Sequence, residues 1–317
     1  MVFLLYTFQK INMNKDLVSK GKQMKNIVLY LITILVWGST WLAIKYQLGV
    51  VDPMVSVIYR FALASVLLML FCRIKGLSLR FSAKDHLFMV LLGALLFSVN
   101  YWLVYVAEVY VTSGLVAVVF SSIVFLNIAN GSFFLGTAVE KKMVAGAVLG
   151  ILGITLIFMP EIEAFDLSDK GLFGLFMGFI SVLLASFGNI TSARNSKNKI
   201  PVIQANAFGM GYGAILLTLM ALVMGKEFTF TASLPYMGSL VYLSVFGSII
   251  AFYSYLTLIG TIGADKASYA IMVVPVVALV LSSFFEGYAW NVYAIAGLFL
   301  VVAGNFLALF KPRRVPA

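Results

Sequence analysis

The sequence predicts an all-α integral membrane protein, with ten transmembrane helices in two inverted five-helix repeats. Three observations predict it: ten apolar runs long enough to cross a bilayer, a one-sided distribution of lysine and arginine between them, and a self-match at an offset of about 150 residues. The first follows from composition. Of 317 residues, 62% are hydrophobic and 11% charged, and the mean hydropathy is +1.04. Soluble proteins carry about 25% charged residues, and their surfaces must still face water. A cytosolic enzyme, a disordered tail and a secreted disulfide scaffold are therefore excluded. A bilayer core ~30 Å thick needs about 20 helical residues per crossing, so the length allows up to about 15 crossings.

In chain order the apolar runs lie at about 26–45, 53–72, 86–107, 114–133, 142–160, 171–191, 201–224, 235–257, 265–285 and 291–310. Residues 1–25 are lysine-rich apart from the opening Met1–Phe8, which is too short to span and has no basic segment ahead of it, unlike a signal peptide. Met1, Met13 and Met24 could each be the start. The connections are short, so neighbouring helices are expected to run antiparallel. With the N-terminus in the cytoplasm, 17 of the 22 Lys and Arg residues fall on that side, among them Arg73, Lys75, Lys141, Lys142, Arg194, Lys311, Arg313 and Arg314. Only Lys45, Lys170 and Lys226 fall outside, while Arg60 and Lys266 lie within helices. Positive charge concentrates on cytoplasmic loops, so this split supports the span count and puts both termini in the cytoplasm. The acidic loop Glu161–Asp169 falls on the opposite side.

The self-match aligns Ser132–Ala138 with Ser283–Ala289, Ala145-Gly146 with Ala296-Gly297, and Gly153 with Gly304. Pro53 and Pro201 open equivalent spans, and Gly38 corresponds to Gly188. Because five is odd, the second copy enters the membrane from the other face. The copies are then related by a pseudo-two-fold axis in the membrane plane, an arrangement typical of secondary transporters. A duplicated scaffold is the alternative.

One cysteine, Cys72, and one histidine, His86, leave no internal disulfide framework and no Cys/His zinc cluster. His86 reads as a residue near the headgroups where a helix begins. Gly209-Met210-Gly211-Tyr212-Gly213 has no preceding strand and reads as close helix packing, not a phosphate loop. The net charge of +10 lies between apolar runs and indicates membrane topology, not nucleic acid.

Trp37-Gly38-Ser39-Thr40-Trp41-Leu42-Ala43-Ile44-Lys45 resembles the first-helix signature of the drug/metabolite transporter superfamily in its ten-helix EamA type. Pro53 with Tyr59-Arg60-Phe61-Ala62 is similar to the second-helix pattern. Gly263-Ala264-Asp265-Lys266-Ala267-Ser268-Tyr269, Pro275 and Phe284–Tyr288 resemble the ninth-helix region. The similarity covers about 26–310. It departs at Thr137 and Tyr288, where family halves often carry glutamate, and at Val124, the counterpart of Pro275. The resemblance implies a first repeat at 26–160, an extracytoplasmic linker at 161–170, a second repeat at 171–310 and cytoplasmic tails at 1–25 and 311–317. It also implies a central cavity, alternating access, export of small metabolites and a bacterial inner membrane.

A charge in the hydrocarbon costs ~2.5–3.5 kcal/mol on insertion scales. Arg60 lies roughly 10 Å below the outer face and is either an anion anchor in the cavity or a snorkelling arginine. Its counterpart in the other half is Phe208. Glu108, at the outer end of the third span, is a partner for Arg60, a proton-coupling carboxylate or a solvated rim residue. Asp265 is a candidate N-cap. Lys266 lines the inner mouth or anchors to headgroups. Trp37, near the midplane, Trp41, Asn100, Tyr101, Tyr105, Asn127, Tyr253 and Tyr269 suggest apolar cavity walls with a few hydrogen-bonding groups, which suits an amphipathic organic solute. Ordinary helix packing is the alternative for each. Pro275, mid-helix, can bend or hinge its helix.

The expected function is transport of a small organic metabolite or drug-like solute. A non-transporting scaffold or lipid-handling protein is the other reading. The expected partners are the solute and the bilayer, without nucleic acid, and a homodimer is left open. No catalytic residue, cofactor or metal is expected.

Overall fold

The computed structural model describes residues 2–47, 49, 51–165, 169–285 and 288–309, with side chains from residue 21 onward except Trp41 and Ser113. The chain forms α1 (Val2–Lys45), α2 (Pro53–Ile74), α3 (Ala83–Leu96), α4 (Val99–Tyr110), α5 (Ser113–Ser121), α6 (Ile123–Leu135), α7 (Lys141–Ile157) and the short α8 (Met159–Glu163). After these come α9 (Asp169–Lys197), α10 (Val202–Val223), α11 (Leu234–Tyr242), a π-helix (Leu243–Ile250), α12 (Ala251–Ile262), α13 (Ala264–Ala267), α14 (Tyr269–Phe285) and α15 (Val292–Leu309). Among the described residues there is no strand. Lys311, Arg313 and Arg314 lie outside the described residues.

Local chemistry sets the ends. Asp52 caps α2, its Oδ1 accepting the Met54 N–H at 2.8 Å, and Pro53 supplies a pre-set φ in the first turn. Ser82 and Asp85 close a capping box on α3. Gly136 ends α6 at φ +66°, a conformation that suits glycine, and the Thr137 N–H reaches back to the Gly131 carbonyl at 3.2 Å.

Three apolar stretches are broken at serines whose hydroxyls bond back to carbonyls of the preceding turn. Ser98 separates α3 from α4 and bonds to Gly93 and Ala94. Ser122 separates α5 from α6 and bonds to Val119, and Ser268 separates α13 from α14 and bonds to Asp265. This local bonding competes with the helical ladder, and the hydrophobic runs do not reveal it. The fifth run also differs from expectation. Its helix α7 stops at Ile157, and Pro160 opens α8 within what reads as a loop from Glu161.

Among the described residues, nine helical stretches are long and apolar enough to cross a membrane: Gly21–Lys45, Pro53–Ile74, Ala83–Tyr110, Gly114–Leu135, Asp169–Lys197, Val202–Val223, Leu234–Ile262, Ala264–Phe285 and Val292–Leu309. Their outer faces are apolar; Val223, Leu234 and Phe133 are more than 80% exposed. Such a surface needs lipid. The protein is an all-α integral membrane protein.

Helix packing is reciprocal. α1 lies on α12 and α14, and α9 lies on α4, α5 and α6. α2 meets the π-helix, and α10 meets α3. Across the middle, α2 packs on α10 and α7 on α15. Glycines permit the closest approaches. A methyl built on Gly146 would lie 2.5 Å from the Gly304 carbonyl oxygen, and one on Gly304 would lie 2.5 Å from that of Gly146. Gly153 and Gly297 repeat the relationship seven residues along each helix. Gly209 and Gly213 face Gly93 and Phe97, so the glycine-rich segment of α10 is packing surface.

Candidate functional site

A cavity of about 220 Å³ is lined by residues of α1, α2, α3, α4, α5, α6, α9, α12 and α14. Its lining runs from Trp37, Leu96, Asn189, Phe252 and Met272 to Ile44, Glu108 and Val116. The latter three lie near the end of α1, the end of α4 and the start of α5, the face that carries Lys45 and α8. Helical spacing builds the walls: Trp37, Thr40 and Ile44 form one stripe of α1, and Tyr101, Tyr105 and Glu108 one stripe of α4.

Arg60 is 4% exposed and lines the cavity. Its Nε donates to Ser248 Oγ at 2.8 Å, and its guanidinium carbon lies 5.5 Å from the ring centroids of both Phe61 and Tyr101. Among the described residues, no carboxylate lies within ion-pair distance of Arg60. Glu108 lines the same cavity without pairing with it. Seven residues, or about 10 Å of helix, separate Glu108 from the Tyr101 ring that Arg60 touches.

The π-helix positions this corner. Ser248 is the Arg60 acceptor, and the preceding Gly247 carbonyl accepts Trp37 Nε1 at 3.1 Å. Gly247 also leaves room for its neighbours, since a methyl there would meet Thr40 Cγ2 at 2.9 Å and Arg60 Nη2 at 3.1 Å. Trp37 in turn packs edge-on against Phe252, centroids 5.0 Å apart, and tilted against Tyr255 at 5.2 Å.

The cavity brings together Trp37, Arg60, Asn100, Tyr101, Tyr105, Glu108 and Pro275. Asn100 also ties α4 to α9, its Nδ2 donating to the Ser181 carbonyl at 2.8 Å and to Ser181 Oγ at 2.9 Å. Pro275 sits inside an unbroken α14. Other residues singled out from the sequence lie elsewhere. Asn127 is fully buried beneath the cavity: its Nδ2 donates to the Ala264 carbonyl and its Oδ1 accepts from Asn189, whose Nδ2 also donates to the Tyr255 hydroxyl at 3.0 Å. Tyr269 is fully buried, and its hydroxyl donates to the Met143 carbonyl, tying α14 to α7. Tyr253 is half-buried and does not line the cavity. The Trp41 side chain lies outside the described residues.

Asp265 is not the N-cap. Gly263 takes that position, at φ +95°, and Asp265 falls in the first turn of α13, bordering a smaller cavity of about 150 Å³ with Lys197 and Thr137. Lys266 pairs with Glu140 at 3.3 Å, and Glu140 also pairs with Lys142 at 3.3 Å. The Glu140 carboxyl is held below its ordinary value chiefly by the hydrogen bond from Lys142, with burial opposing and Lys266 adding to the lowering. His86 shares a 2.8 Å hydrogen bond with the Tyr212 hydroxyl and packs on Phe208, the counterpart of Arg60.

Sequence reasoning missed Thr40, Asn189 and Ser248. Asn189 carried the same signal as Asn127, an amide inside an apolar run. Thr40 follows Trp37 by one turn. Nothing in the sequence marks the π-helix that brings Ser248 to Arg60.

An apolar-surfaced helical bundle around an aromatic-walled cavity lined by the buried Arg60 has the form of a membrane transporter. The model of the EamA-like transporter family matches residues 24–159 and again 172–310, and the chain belongs to that family. Protein PagO of Salmonella typhimurium is 24% identical over 283 residues, covering 89% of this chain and 92% of PagO. The uncharacterized inner membrane transporter YedA of Escherichia coli K12 is 29% identical, covering 89% and 92%. The uncharacterized transporter YoaV of Bacillus subtilis is 28% identical, covering 90% and 98%. A solved crystal structure with 18% sequence identity superposes with a TM-score of 0.77 over 92% of this chain and 99% of that one, so the two share a fold. The protein is an integral membrane transporter.

Proposed function

We propose that the protein exports a small organic solute across a bacterial inner membrane by alternating access, using two inverted five-helix units, 26–160 and 171–310. The observation that carries this reading is the cavity lined by helices from both parts of the chain, from Trp37 and Met272 to Ile44, Glu108 and Val116. Exchanging α1 with α9, α2 with α10 and α7 with α15 maps most of their helix neighbours onto one another, though α9 also packs on α12 and α7 on α14. The glycine contact 146–304 likewise maps onto 297–153 at the 151-residue offset of the sequence repeat. Two opposed copies of one unit supply two related packings, each open to one side.

In this reading the described conformation is outward-open. The inner half is closed by the Asn127–Asn189–Tyr255 cluster, by Tyr30, whose hydroxyl donates to Asn305 Oδ1 at 2.6 Å, and by the Glu140–Lys266 pair. The ten-span topology with both termini cytoplasmic follows from the charge distribution. A scaffold would have closed this crevice with large apolar side chains, so the cavity favours transport.

The test is solute flux in proteoliposomes holding the full chain, with reporter tags at both ends. Saturable flux and both tags on the cytoplasmic side support the proposal. Tags on opposite sides, or flux equal to empty liposomes for every solute tried, overturn it.

A further inference from the structure

We propose that the solute is an organic monoanion, a carboxylate on an apolar body, and that Arg60 receives the carboxylate with Ser248 as its positioning residue. The inference rests on the transport reading and adds the chemical class to it.

A buried cation is unfavourable unless something offsets the lost hydration. Arg60 is 4% exposed, and it meets the Ser248 and Tyr101 hydroxyls and two ring faces. Hydroxyls and aromatic quadrupoles soften a guanidinium without neutralising it. Among the described residues no carboxylate pairs with the charge, and it lines the cavity. The planar guanidinium fork matches a carboxylate in shape as well as sign. The neighbouring helices hold it in place. Ser248, on the π-helix, accepts from Nε, and Trp37 secures the same segment through the Gly247 carbonyl. The remaining walls, Phe120, Phe252 and Tyr105 among them, are ring faces and edges that suit an apolar body.

Glu108 is the competing feature, because it would favour a cation. Burial decides between them. Glu108 stands half-buried near the end of α4, whereas Arg60 is buried.

The test measures binding to the purified full chain in lipid nanodiscs with three probes of similar shape and different charge: 3-phenylpropanoate, 3-phenylpropanamide and 3-phenylpropylammonium. The expected result is that the carboxylate binds at least about tenfold more tightly than the amide, the scale of a charge-assisted hydrogen bond. Arg60→Gln should remove that preference. Ser248→Ala should reduce it severalfold with the charge still present, and Arg60→Lys should restore part of it. If Arg60→Gln does not fold, the wild-type ratio and Ser248→Ala still decide. Amide or ammonium binding as tight as the carboxylate overturns the proposal, and flux of those probes in proteoliposomes would then leave the transport reading standing. If none of the three binds and no solute moves, both fall.

Discussion

Gly146 and Gly304 approach so closely that a methyl on either would lie 2.5 Å from the other's carbonyl oxygen. A contact that short must be relieved by moving backbone. Gly146→Ala and Gly304→Ala should each destabilise the protein by about 1–3 kcal/mol, the usual cost of overpacking. Gly153→Ala and Gly297→Ala should match them, because they occupy the equivalent positions on α7 and α15. Thermal unfolding in detergent measures all four. Gly238→Ala, with nothing within 4 Å of the new methyl, is the control and should be neutral or slightly stabilising.

Glu140 links α7 to α13 through Lys266. Its carboxyl is held below the ordinary range, so the link persists above that range and is lost as pH falls through the lowered value. Spin labels on α7 and α13 should keep their separation at neutral pH and move apart only once the pH has fallen below the ordinary carboxylate range, about 4. Glu140→Gln should show the wider separation at pH 7. An unchanged distance in that variant would remove the pair from any gating role.

Asp52 has two roles, one oxygen capping α2 and the other pairing with Lys226 at 2.9 Å. The pair is partly exposed, and such pairs contribute about 0–1 kcal/mol. The cap contributes about 1 kcal/mol. Asp52→Ala should therefore lower thermal stability more than Lys226→Ala. Asp52→Asn should recover most of the loss, since an amide oxygen still caps.

Trp37 fills the cavity wall and also secures the π-helix through the Gly247 carbonyl. Trp37→Phe removes the N–H and keeps most of the ring. The hydrogen bond is worth about 0.5–1.5 kcal/mol, so solute affinity in nanodiscs should fall about two- to tenfold at nearly unchanged folding yield. Trp37→Ala should cost more in both.

Nine of the ten expected spans were readable, among the described residues, because crossing a bilayer imposes long apolar runs. Arg60 stood out for the same reason, as a charge within such a run. The interruptions at Ser98, Ser122 and Ser268 were not readable, since a serine bonding to its preceding turn is indistinguishable in sequence from one within a helix. Tyr269 and Asn127 match cavity residues in composition, yet face partners within the bundle. Only the relative rotation of helices distinguishes the two, and hydrophobic periodicity is weak where every face is apolar.

The Leu243–Ile250 segment winds with more residues per turn than its flanks. It thus holds slack within an otherwise taut span. Removing one residue there, with the winding otherwise kept, would rotate everything from Ala251 to Ile262 by roughly 100°. Phe252 and Tyr255 would leave the neighbourhood of Trp37 together. A change of length at this one stretch would then alter what the pocket admits while the span itself stayed intact.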